Sequence, residues 1–103
     1  MKIFIALLFV LLSISAYAVD RSQTEKRHFA KAHTCPSTGM SVPSCKGYRI
    51  DHIVPLCAGG RDVASNMQWQ KYDVSILKDR IERAYCLCLR RHGKDVCPTV
   101  DWK

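Results

Sequence analysis

An aspartate and a histidine stand side by side at Asp51-His52, near the end of the β-branched run Tyr48-Arg49-Ile50-Asp51-His52-Ile53-Val54. Their chemistry is complementary. An imidazole titrating near neutrality can take a proton from water, and a carboxylate can hold a hard divalent cation. Pro55 stops the run, Gly59-Gly60 opens a loop, and Ser65-Asn66 closes it before a second apolar-polar alternation begins. Taken alone, a strand histidine is more often a hydrogen-bonded structural residue than a catalyst.

A strand must position the pair. Period two puts Tyr48, Ile50, His52 and Val54 on one side and Arg49, Asp51 and Ile53 on the other. A regular strand therefore aims Asp51 and His52 in opposite directions, and both can serve one site only if the strand bends or ends there. Pro55 supplies such an ending. Asn66 to Gln70 reads as a short second strand with Met67 and Trp69 on one face. From Asp73, a good N-cap, the pattern turns helical as far as His92, and Gly93 is the stop. Leu77, Ile81, Ala84 and Cys88 recur at three- and four-residue steps, which predicts a core-facing stripe. Upstream, Ser22 with Glu25 forms a capping-box signature for a short basic helix whose main core contact is Phe29.

The pattern D-H-I-x-P-L-x-x-G-G, followed by S-N-x-Q-W, resembles the HNH nuclease motif, the ββα-metal active site, from Tyr48 to about Glu82. The resemblance reverses the bland reading of His52, because its neighbours all fall at the family's offsets. It implies an α+β fold: a small ββα-metal core, here with an added N-terminal helix and disulfide staples. It also implies metal-dependent hydrolysis of phosphodiesters in DNA or RNA, leaving a 5′-phosphate and a 3′-hydroxyl. Such chemistry needs a deprotonated water and relief of charge on the phosphate. His52 is then the general base, Asp51 the first metal ligand, and Asn66 a clamp that bridges the loop and orients His52.

The chain departs from the family in the helix. A His or Asn is common nine residues beyond the clamp, where this chain has Ser75, a poor ligand. Asp79 lies one turn further on the same face and is the second ligand expected, with Glu82 and Asp73 in reserve. Ion pairs with Arg83 and with Lys78 are the competing assignments for Asp79 and Glu82. Lys78, Arg80, Arg83 and Arg49 are the candidates for contact with the nucleic-acid backbone. Magnesium is the ion expected; oxygen ligands also accept manganese, nickel or zinc.

The first residues, MKIFIALLFVLLSISAYAVD, carry Lys2, an apolar run and the small-residue site Ala16-Tyr17-Ala18. This reads as a secretory signal peptide over residues 1–18, with a single domain over 19–103 exported to a periplasm or outside the cell. All six cysteines, Cys35, Cys45, Cys57, Cys86, Cys88 and Cys97, fall after it. An even count in a small exported domain predicts three disulfides. About fifteen pairings are open; Cys35 with Cys45 is preferred because it closes one short loop. Cys86 and Cys88 point to nearly opposite sides of the helix and require different partners.

The formal charge of +7 suits a polyanion or an anionic surface. Two further readings fit that charge. One is a non-catalytic module that holds nucleic acid or another polyanion on the same scaffold. The other is a membrane-active toxin, which leaves the Asp-His and loop-Asn arrangement unexplained.

Overall fold

The computed structural model describes residues 23–103. The expected signal peptide and the Ser22 cap lie outside the described residues. The first helix, α1, covers 23–32. Its inward side chains, Phe29 and Ala30, are almost fully buried. The Phe29 ring lies 5.4 Å from that of Trp69 and 5.0 Å from that of His33, and the Trp69 indole N–H donates to the His33 carbonyl at 2.7 Å. Burying Phe29 contributes about 1.5–3 kcal/mol, and it fixes α1 to the following sheet.

Two strands follow, β1 (Tyr48–His52) and β2 (Met67–Lys71), paired antiparallel with Ile50 opposite Trp69 and Asp51 opposite Gln68. The second helix, α2 (Tyr72–His92), starts without a connecting loop. The described residues thus form a small α+β arrangement of two helices and a two-stranded antiparallel sheet. β1 ends two residues earlier than its composition predicts. The Ile53 N–H goes to the Asn66 carbonyl, and the Val54 N–H and C=O both go to the Asn66 side chain. Ile53 still bonds its register partner, but both backbone groups of Val54 are taken by the Asn66 side chain, so the ladder stops. Gly93 ends α2 in a positive-φ conformation, its N–H on the Leu89 carbonyl at 3.0 Å.

The face of α2 turned toward the sheet is not the apolar one. Leu77 and Ile81 are 59% and 54% exposed, and Ala84 is exposed as well. The inward face carries Ser75, Lys78, Asp79, Glu82 and Cys86, which also recur at helical spacing. Ion pairs from β1 and one disulfide hold this polar face down, and they override the hydrophobic pattern. The stripe from Leu77 to Cys88 faces the C-terminal tail instead. Cys88 is bonded to Cys97, the Trp102 ring meets Tyr85 edge-on at 5.5 Å, and Val100 and Trp102 form a shallow groove with Val74, Leu77 and Ile81.

Three disulfides carry much of the stability. Cys35–Cys45 closes the short loop after α1, Cys57–Cys86 ties the loop between the strands to α2, and Cys88–Cys97 ties down the tail. Cys86 and Cys88 do take different partners. Among the described residues, four of the seven buried hydrophobic ones are cysteines, so the apolar core there is thin without them. Cys57 and Cys86 are 29 residues apart, the longest span of the three. Chain-entropy reasoning assigns that bridge about 3–4 kcal/mol. Replacing Cys57 and Cys86 together by alanine should lower the unfolding free energy by that amount, measured by urea titration, and by more than loss of either short-loop bridge. Among the described residues no helix is long and apolar enough to cross a membrane.

Candidate functional site

The loop between the strands is built around two glycines with different reasons to be there. Gly59 has φ +90°, the left-handed region that favours glycine. Gly60 has no room for a side chain: a Cβ would sit 1.9 Å from the Val54 carbonyl oxygen. The Pro55 carbonyl accepts from both Ala58 and Gly60 at 2.9 Å, which coils the chain tightly enough to create that approach. Gly60→Ala must push the backbone apart and should cost about 1–3 kcal/mol, the usual range for overpacking. A shift in denaturation midpoint reads it.

Asn66 spans the base of this loop. Its Oδ1 accepts from the Val54 N–H at 3.0 Å, and its Nδ2 donates to the carbonyls of Val54 at 3.0 Å and Arg61 at 2.8 Å. One amide thus joins the exit of β1 to the far side of the loop. That closure returns Asp62 toward the strand tip. His52 Nε2 lies 2.9 Å from Asp62 Oδ1, with the imidazole side chain 24% exposed. A carboxylate only accepts, so Nε2 carries the hydrogen and the lone pair of a neutral ring sits on Nδ1.

Asp51, on the opposite face of the strand, is buried. Its Oδ2 accepts from Gln68 at 3.1 Å and from Lys78 at 2.5 Å. Lys78 also donates to the carbonyls of His52 at 2.5 Å and Ile53 at 3.1 Å, and pairs with Glu82 at 3.2 Å. Its side chain is only 11% exposed. The Lys78–Glu82 pair is the one the sequence spacing allowed; Lys78 itself is turned inward and does not present its charge to a polyanion.

Asp79 pairs with Arg49 rather than Arg83, at 2.6 Å. That hydrogen bond is the main reason the Arg49 guanidinium is pushed above its ordinary pKa. Arg80 and Arg83 are exposed on α2, as is Arg61 beside Asp62.

Asp51 and His52 therefore diverge, as strand alternation requires, and work with different partners. The divalent ion implied by the resemblance does not fit the donors as they stand. Asp51 is held by an ammonium, Asp79 by a guanidinium, and the Ser75 hydroxyl donates to the Tyr72 carbonyl at 2.6 Å. Among the described residues no three His, Cys, Asp or Glu side chains are placed to hold a metal ion.

Sequence reasoning did not single out Asp62 or Arg61, and named Gln68 only as part of the S-N-x-Q-W pattern, with no role at Asp51. The signal for Gln68 was its place opposite Asp51 in a hairpin; for Asp62 it was only that a Gly-Gly coil closed by Asn66 must return near the strand end. No protein-family model, no curated protein and no solved structure matches the chain.

Proposed function

We propose that this chain is an exported, disulfide-held hydrolase of phosphodiesters in nucleic acid, DNA or RNA, with His52 as general base. The observation that carries the proposal is the Asp62–His52 pair at the open end of β1, backed by the Asn66 clamp. Asp62 fixes the ring by accepting from Nε2, which leaves the lone pair of the neutral ring on Nδ1 as the base. It takes a proton from water; the water oxygen bonds to phosphorus, the P–O3′ bond breaks, and the leaving oxygen picks up a proton from solvent. Asp62 then stabilises the imidazolium, as carboxylates do in other His-based sites. The exposed Arg61, Arg80 and Arg83, within a chain of formal charge +7, supply the field that draws a phosphate backbone. Backbone contacts without a base-reading element predict little sequence preference and strong salt dependence. The three disulfides suit an oxidising compartment.

The test is nicking of supercoiled plasmid, and cleavage of an RNA of similar length, by the oxidised chain beside His52→Ala. Cleavage that His52→Ala slows about a hundredfold or more supports the proposal; equal cleavage by both, or none by either, overturns it. A second reading, a polyanion-binding module without catalysis, is favoured by the capture of Asp51 by Lys78. It predicts salt-sensitive binding to the same plasmid with no nicking.

A further inference from the structure

We propose that the Lys78 ammonium is the resident cation of this fold: it fills an oxygen cage at the strand tip and closes that position to divalent ions. Four oxygens surround Nζ, from the carboxylates of Asp51 and Glu82 and the backbone carbonyls of His52 and Ile53, at 2.5 to 3.2 Å. Carboxylate and peptide oxygens are the donors a hard cation selects. The Trp102 ring lies 5.9 Å from Nζ on a further side, a favourable cation–π distance.

An ammonium has three hydrogens and no acceptor, and this cage offers it more oxygens than it has hydrogens. Magnesium, the ion the HNH resemblance implies, holds oxygens at about 2.1 Å in a strict octahedron. It can take Asp51 Oδ2 and the carbonyls of His52 and Ile53 only by displacing Lys78, because Nζ already lies within 2.5 to 3.1 Å of all three. The helix supports the same conclusion. Ser75, where a ligand is expected, is turned to the Tyr72 carbonyl, and the next inward residue, Lys78, delivers the positive charge directly. The charge that would fix the exit of β1 is thus built into the chain, and the backbone behind His52 keeps its shape without an ion.

The inference concerns the same strand tip as the proposed hydrolase, but it is tested by ion binding and not by cleavage, so either can fail without the other. Manganese(II) is titrated into the oxidised, isotope-labelled chain, and paramagnetic loss of the amide signals of His52, Ile53 and Gln68 is followed, with magnesium as competitor. The wild type is expected to keep those signals at millimolar manganese. Lys78→Ala, which leaves the four oxygens without their cation, is expected to lose them selectively and to gain thermal stability when manganese is added. Selective signal loss in the wild type, reversed by magnesium, overturns the proposal, as does a folded Lys78→Ala chain that stays silent. Lys78→Ser serves if Lys78→Ala does not fold, and the wild-type titration is decisive by itself.

Discussion

His52→Ala is expected to cut plasmid at about one-hundredth to one ten-thousandth of the wild-type rate, the range that loss of a positioned general base produces. The fold should survive, because the ring is partly exposed and its hydrogen bond is to a loop carboxylate, not to the core. Circular dichroism and an unchanged denaturation midpoint check that. Asp62→Asn separates the role of the ring from that of its partner. An asparagine can present its amide nitrogen as well as its oxygen to Nε2, which lets the ring adopt the wrong tautomer. Its turnover should fall while substrate binding, read by salt-dependent gel shift, stays level. A His52→Ala chain as active as the wild type would remove the base from the mechanism.

Lys78→Met is expected to be the most destabilising single change away from the cysteines. It keeps the length of the side chain but removes the charge. Among the described residues Asp51 then keeps Gln68 alone as a side-chain donor while still buried, and the carbonyls of His52 and Ile53 lose the Lys78 hydrogen bonds. Breaking a buried pair on one side costs about 3–5 kcal/mol, against a total of about 5–15 kcal/mol for a typical domain. Removing both charges, as Asp51→Asn with Lys78→Met, should recover part of that loss, since the uncompensated carboxylate is gone. Urea titration of the four chains of this cycle gives the coupling. A Lys78→Met chain as stable as the wild type would mean that the ammonium is not held where the structure places it.

The order of strand, loop, strand and helix was readable because each boundary has its own local chemistry: Pro55 and Gly59-Gly60 after the first strand, Asn66 before the second, Gly93 after the helix. Phe29 was readable as the anchor of α1 because it is the one large apolar residue among charged neighbours. The facing of α2 was not. Leu77, Ile81 and Ala84 make a regular stripe, and hydrophobic spacing alone assigns them to the core. What reverses the assignment is non-local: Arg49 and Asp51, two residues apart on one face of β1, reach Asp79 and Lys78, adjacent in the helix. No periodicity within either segment encodes that match. The partner of His52 was hidden for a related reason, since Asp62 reaches it only after Gly60 and Asn66 have folded the loop back.

The Glu25 carboxylate accepts from the Ala64 N–H at 2.9 Å, two residues past Asp62. Helix α1 is therefore tethered to the loop whose Asp62 carboxylate bonds the His52 imidazole. A displacement of α1 would be transmitted through that hydrogen bond to the loop that aligns Asp62.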